Sequence, residues 1–143
     1  MARVEGLLRV IRENLALLDS KLEECSEEEL VGDPFYLNSV LHILQVSSQA
    51  LIDLASHVIA ESGLGVVDRY SAAPEILRER GVLERGEAET FRKIIGFRNI
   101  VVHGYSAVSR EVVLSILRGR KYRDIVRLAL RVAEWAAGRG VDP

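Results

Sequence analysis

The chain is poor in cysteine and in long apolar runs, and each shortage excludes a class of protein. Its single cysteine, Cys25, excludes an intrachain disulfide and a zinc site built from several cysteines, and it fits a reducing compartment. The longest uncharged stretch, 34–52, contains histidine, amide and serine side chains and is therefore a poor membrane span. The N-terminal residues carry frequent charges and show no signal-peptide pattern. We expect a cytoplasmic protein without a membrane segment.

The remaining composition is that of one globular domain. The 143 residues are 48% hydrophobic and 28% charged, which supplies one apolar core but too little chain for a separate cofactor domain. We therefore expect a single domain over 1–143, with its C-terminal end frayed from about residue 138.

Basic and acidic residues are unevenly distributed, although the net charge is only −2. Residues 1–84 carry 7 basic and 15 acidic side chains, whereas residues 85–143 carry 12 basic and 6 acidic side chains. Three interpretations stay open for a basic ridge within the C-terminal half: it follows an RNA backbone, it meets the acidic face of a partner, or it solvates the last helix. The basic ridge of that half consists of Arg120, Arg123, Arg127 and Arg131.

Apolar residues recur every three to four positions, and glycine and proline interrupt this pattern between segments. The pattern predicts an all-α, antiparallel bundle of about four main helices with two short additional helices. Asp33 and Pro34 suit the cap and first turn of the second helix, and Gly104 suits the end of the fourth. The predicted helices cover approximately 3–30, 34–62, 72–80, 87–103, 110–118 and 121–137.

Three polar functional groups lie close together at the end of the fourth predicted helix, in the segment RNIVVHGY over 98–105. Arg98 and His103 are five positions apart, which in an ideal helix is about 7.5 Å of rise and about 140° of rotation. They can act on one ligand only if the helix end unwinds or a second subunit supplies one of them. Arginine matches phosphate oxygens and histidine exchanges a proton near neutral pH, so the pair suits phosphodiester cleavage. The alternative is that His103 caps its own helix and Arg98 points to solvent.

The second predicted helix carries a stripe of polar, weakly charged residues at steps of three and four positions. Such a stripe suits an interface or the wall of a site, because a solvated face normally prefers long charged side chains. Asp53 is placed to hydrogen-bond His57 or to pair with Arg98, and a hydrogen-bond network within the chain is the alternative. The histidines are too far apart for a helical metal pair, so we expect no metal site and no cofactor. The polar stripe consists of Asn38, His42, Gln45, Gln49, Asp53 and His57.

The segment at 98–105 resembles the Arg-x4-His-x-Tyr signature of the HEPN superfamily, in its HepT-like branch of bacterial and archaeal toxins. The residues QVSSQALIDLASH at 45–57, followed by Gly-Leu-Gly at 63–65, are similar to the second helix and connector of that family. The lead-in IGFRN at 95–99 resembles that of the family motif. The order and lengths of the helices agree along nearly the whole chain.

The resemblance implies a helical bundle that forms a homodimer, with two motifs facing each other in a composite, metal-independent ribonuclease site. Arg98 would bind the phosphate of RNA, His103 would act as general acid or base, and Asn99 would orient the site. From its place in the polar stripe, we expect Asp53 to support these residues. Tyr105 matches the tyrosine onto which a nucleotidyltransferase antitoxin transfers AMP from ATP, which neutralises the toxin. A non-catalytic helical subunit and a nucleotide-binding module, each with a nucleotidyltransferase partner, are the alternatives.

Overall fold

The computed structural model describes residues 3–142, and every regular element within them is a helix. The predicted all-α bundle is therefore confirmed. Two 3-10 segments, Tyr105–Ala107 and Arg118–Arg123, lie among the α-helices. The α-helices are α1 (Arg3–Glu24), α2 (Glu27–Gly32), α3 (Pro34–Glu61), α4 (Ala72–Glu79), α5 (Arg85–His103), α6 (Arg110–Leu117) and α7 (Asp124–Ala137).

Helix α3 forms the centre of the bundle. It contacts α1, α2, α4, α5 and α7, and aliphatic residues such as Leu51, Leu54 and Val58 are fully buried along it. Among residues 3–142 it is the one helix long and apolar enough to cross a membrane, but those apolar side chains pack against the other helices. Burial of this apolar surface is the main stabilising contribution to the bundle.

The first predicted helix, 3–30, is two helices in the structure. Helix α1 ends at Glu24, and Ser26 begins α2 by reciprocal hydrogen bonds with Glu29. The Ser26 hydroxyl accepts from Glu29 N at 3.1 Å, and Ser26 N donates to Glu29 Oε1 at 3.0 Å. This capping box satisfies backbone donors at the helix start and allows a break within an otherwise helical apolar pattern. The structure therefore has three short α-helices where the sequence predicted two.

Helix α3 begins where the sequence predicted it, at Pro34. Asp33 Oδ1 accepts hydrogen bonds from Phe35 N at 2.8 Å and from Tyr36 N at 3.3 Å. Pro34 occupies the first turn, where its missing N–H costs no hydrogen bond. The predicted cap is therefore confirmed, and it fixes the direction in which α3 leaves α2.

The last predicted helix, 121–137, begins as a regular α-helix three residues later than expected. The preceding 3-10 segment is kinked, with left-handed φ values of 64° at Gly119 and 53° at Arg120. Arg120 donates to Asp19 of α1 at 3.1 Å, and the buried Tyr122 hydroxyl donates to the same carboxylate. Burial acts to raise the pKa of Asp19, but the bonds from Tyr122 and the neighbouring arginines hold that pKa below its ordinary value. These contacts hold the kink against α1.

The chain after α7 returns to the start of the bundle. Asp142 accepts a hydrogen bond from Val4 N at 2.7 Å and pairs with His57 Nε2 at 2.9 Å. The bond from the Val4 backbone and the contact with His57 lower the pKa of Asp142. The expected fraying from about residue 138 stays a prediction.

Leu54→Ala should lower the free energy of unfolding by about 2–5 kcal/mol, because truncating this fully buried side chain leaves a cavity in the core. Leu17→Ala is the matched control. Leu17 on α1 is 61% exposed, so its truncation should change the free energy by less than about 0.5 kcal/mol. Urea denaturation followed by circular dichroism measures both variants. Equal destabilisation of the two would contradict the assignment of α3 as the core helix.

Candidate functional site

The motif over 98–105 lies at the end of a regular helix. Helix α5 runs unbroken from Arg85 to His103, and Gly104, with a φ of 142°, ends it. Few residues other than glycine adopt this conformation, so the predicted glycine cap is confirmed. Because the helix does not unwind, Arg98 and His103 keep their angular separation of about 140°. Within one chain the two side chains leave different sides of α5.

The Arg98 side chain reaches from α5 to α3 and is half-buried there. Its Nε donates to Gln49 Oε1 at 2.8 Å, and its Nη1 donates to Asn99 Oδ1 at 3.1 Å. The Tyr70 ring lies against the guanidinium, with Cζ 4.9 Å from the ring centroid. Among residues 3–142, Nη2 has no hydrogen-bond partner. A guanidinium fixed in this way, with one edge unengaged, is suited to bind an anion.

Gln49 connects Arg98 to Asp53. Gln49 Nε2 donates to Asp53 Oδ1 at 2.9 Å, while its Oε1 accepts from Arg98. An amide offers both a donor and an acceptor, so this side chain links the carboxylate to the guanidinium by two hydrogen bonds. The direct bonds that the sequence allowed, from Asp53 to Arg98 or to His57, are absent from residues 3–142. Gln49 lies between Asp53 and Arg98, and His57 pairs with Asp142 instead.

Tyr105 lies just beyond α5, where its hydroxyl donates to Gln45 Oε1 at 3.2 Å. The residue is half-buried and lies outside the fully buried core. Gln45 and Gln49 are one helical turn apart on α3, so their side chains are neighbours at about 5–6 Å between Cβ atoms. The polar stripe therefore brings the Tyr105 hydroxyl and the Arg98 guanidinium to adjacent positions.

A cleft of about 530 Å³ lies between α1, α3 and α5 at these residues. Its apolar wall comes from α1 and α3, and its polar wall is formed by Arg98 and part of the polar stripe. A second cavity of about 470 Å³ lies between α3, α5 and α7, is more apolar, and contains no residue of the motif. The polar wall of the cleft consists of His42, Gln45, Gln49, Asp53 and Arg98.

His103 is separate from this cluster. Its ring is exposed at the last turn of α5 and has no hydrogen-bond partner in the described part of the chain. Asn99 is also exposed, but its Oδ1 holds Arg98. Of the residues singled out from the sequence, the structure brings Arg98, Asn99, Asp53 and Tyr105 together on one side of α5 and α3 and leaves His103 apart.

The basic ridge is paired with acids of the same chain. Arg120 and Arg123 contact Asp19 at 3.1 and 3.2 Å, and Arg127 contacts the carboxylate one turn before it. Arg131 lies 3.6 Å from Glu87 of α5. These pairs reduce the positive charge that the ridge presents, which favours its interpretation as a solvated, internally balanced surface over one that follows RNA.

Two contacts of Arg98, with Gln49 and with Tyr70, could not be predicted from the sequence. Gln49 stood only as one member of the polar stripe, although a glutamine four residues before an aspartate is a known helical hydrogen-bonding pair. Tyr70 is 28 positions from Arg98 and lies in an irregular connector, so no periodicity could have placed it at the site.

The family model described as Ribonuclease HepT-like matches residues 11–132, most of the chain. The chain belongs to the HepT-like family. The resemblance inferred from the motif and from the second helix is therefore confirmed, and the matched residues include the Arg98-to-Tyr105 segment.

Two curated relatives match part of the chain. A protein of Archaeoglobus fulgidus named "Putative RNase" is 34% identical over 87 residues, which are 61% of this chain and 65% of the relative. A protein of Shewanella oneidensis named "mRNA nuclease HepT" is 26% identical over 81 residues, 57% of this chain and 61% of the relative. Both matches span less than two thirds of the relative.

Solved structures of toxin–antitoxin complexes share the fold. The tri-AMPylated Shewanella oneidensis HEPN toxin in complex with MNT antitoxin matches with a TM-score of 0.81 and 19% identity, over 94% of this chain and 98% of that one. A toxin–antitoxin structure with AMP-PNP matches with a TM-score of 0.81 and 18% identity, over 92% and 98%. At such identities the likeness establishes the fold of the chain.

Gln49→Leu should free the Arg98 guanidinium, because the substitution removes both the acceptor for Nε and the link to Asp53. We expect the Arg98 Nε–H signal in NMR spectra to exchange faster with water, and the free energy of unfolding to fall by about 0.5–1.5 kcal/mol. Asn38→Leu, at the exposed end of the same stripe, is the control and should change neither. An unchanged Arg98 signal in Gln49→Leu would refute the positioning role of Gln49.

Proposed function

We propose that this protein is a homodimeric, metal-independent endoribonuclease toxin of the cytoplasm, neutralised by a nucleotidyltransferase antitoxin. The observation that carries the proposal is the Arg98 guanidinium, fixed by Gln49 and Asn99 with Nη2 unengaged at an open cleft. Membership of the HepT-like family and the names of its relatives support the same activity.

The proposed chemistry uses two side chains of the motif. A general base removes the proton of a ribose 2′-hydroxyl, whose oxygen then attacks the adjacent phosphorus and forms a 2′,3′-cyclic phosphate. The 5′-oxygen of the next nucleotide leaves and takes up a proton from a general acid. We assign a proton transfer to the His103 imidazole, and stabilisation of the charge on the phosphate oxygens to Arg98.

The angle between Arg98 and His103 favours a dimer. Within one chain Arg98 turns to the cleft while His103 is exposed on another side of a regular helix. In a symmetric dimer the same surface of both subunits meets across a two-fold axis. His103 of one subunit can then approach Arg98 of the other, and the reverse. We therefore propose that the faces bearing Gln45, Gln49 and Asp53 lose accessible surface when two chains associate.

Tyr105 is the proposed site of neutralisation. Its hydroxyl would attack the α-phosphorus of ATP held by the antitoxin, form a phosphodiester with AMP, and release pyrophosphate. Because Tyr105 and Arg98 bind neighbouring glutamines of α3, the added phosphate would lie close to the guanidinium and compete with RNA phosphate there. The AMPylated state of the solved Shewanella oneidensis toxin supports this proposal.

His103→Ala should lower the rate of RNA cleavage about 10²–10⁴-fold, because the variant loses a proton-transfer group. Arg98→Ala should lower the rate of cleavage by a similar factor, while EDTA should leave the rate of the wild type unchanged. Gel assays with end-labelled RNA measure the rates, and mass spectrometry of the fragments should identify the 2′,3′-cyclic phosphate. Wild-type rates in His103→Ala, or cleavage abolished by EDTA, would exclude this mechanism. An inactive wild type would favour the non-catalytic alternative.

Co-expression with a cognate nucleotidyltransferase should add AMP to Tyr105, because its hydroxyl lies at the rim of the cleft rather than in the core. Tyr122 is the buried control, at 2% exposure, and Tyr70 is the exposed control. The modified protein should lose cleavage but keep its fold. Tyr105→Phe should resist the antitoxin. Peptide mass spectrometry locates the modification, and AMP found only on another residue would overturn the assignment.

A further inference from the structure

Tyr70, in the connector between α3 and α4, lies against Arg98, which is one of the residues that line the cleft. Its carbonyl oxygen accepts a hydrogen bond from Ala73 N at 3.1 Å, and Ala73 is fully buried at the start of α4. The backbone of Tyr70 is therefore tied to the core. The ring extends from it to Arg98, and the residue as a whole is 39% exposed. The connector thus holds an accessible aromatic surface beside the proposed phosphate-binding group.

We propose that Tyr70 forms a nucleobase-binding subsite, in which a base stacks on the ring while the phosphate of the same or the adjoining nucleotide binds Arg98. This inference rests on the proposed function and extends it to substrate recognition. An aromatic ring beside a guanidinium is a combination that binds single-stranded nucleic acid, because every base has a flat π face and every nucleotide an anionic phosphate. The subsite would favour unpaired bases with little preference for sequence.

The contacts of Arg98 indicate that the ring is not required to orient it. The guanidinium is already fixed by hydrogen bonds through Nε to Gln49 and through Nη1 to Asn99. The Tyr70 hydroxyl has no hydrogen-bond partner among residues 3–142. The ring face is then the functional part of the side chain, and Tyr70→Phe should retain the subsite whereas Tyr70→Leu should remove it.

The test measures the affinity of His103→Ala protein, which should bind RNA without cleaving it, for a short single-stranded RNA. Adding Tyr70→Leu should weaken binding by about 5- to 160-fold, the range for loss of one base–aromatic stack, and adding Tyr70→Phe should change it little. Tyr36→Leu is the matched control, since Tyr36 also has a cationic group 4.9 Å from its ring centroid but lies at Lys21, away from the cleft.

Abasic substitution separates stacking from a merely structural role. The same RNA is prepared with one base removed at each position in turn. If a base stacks on Tyr70, the effect of Tyr70→Leu should vanish for RNA that lacks that base. If Tyr70→Leu weakens the binding of intact RNA and of every abasic RNA by the same factor, the ring acts only through Arg98 and the inference is wrong.

A second arm uses AMP and distinguishes a free nucleotide from RNA as the source of the base. Addition of AMP should shift the NMR signals of the Tyr70 ring upfield, and Arg98→Ala should abolish this shift. Such a result supports the subsite even if the protein does not bind RNA and the proposed function is wrong. Tyr70-independent binding of RNA, together with no shift by AMP, overturns the subsite but leaves the proposed nuclease intact.

Discussion

The regularity of α5 up to His103 is the constraint on which the rest of the site depends. A helix places residues five positions apart at an angle of about 140°, and no kink in α5 relieves that angle. Arg98 consequently turns to α3 and His103 to solvent. The two residues proposed to cleave the phosphodiester therefore do not meet within one chain, and the two-fold symmetry of the proposed homodimer would join them.

Helix α3 supplies both the core of the fold and the orienting groups of the site. Its aliphatic residues are buried among the other helices, while the four central residues of its polar stripe, His42 to Asp53, line the cleft. Glutamine suits the central position of that stripe because Gln49 donates to Asp53 and accepts from Arg98 at the same time. A lysine there would repel the guanidinium, and an aliphatic residue would leave its Nε without an acceptor. The weak charge of the stripe thus has a structural cause in the contacts of its amides.

The fold was predictable because apolar spacing, Asp33-Pro34 and Gly104 are local signals that agree with the tertiary structure. The break between α1 and α2 was also encoded locally, in the spacing of Ser26 and Glu29, but the apolar periodicity that continues across it concealed the signal. The motif at 98–105, which includes Asn99, could be identified from the sequence because its residues are close together along the chain. Tyr70 and the pairing of His57 with Asp142 could not, since only packing brings such distant residues together.

Subunit complementation tests the composite site most directly. Arg98→Ala and His103→Ala proteins are each prepared as inactive homodimers, then dissociated, mixed and reassociated. If the site joins Arg98 of one subunit with His103 of its partner, mixed dimers contain one intact pair, and random reassociation should restore about one quarter of wild-type cleavage. If both residues serve one site from the same chain, every mixed dimer lacks a complete pair and cleavage stays at the level of the single variants, which would contradict the account.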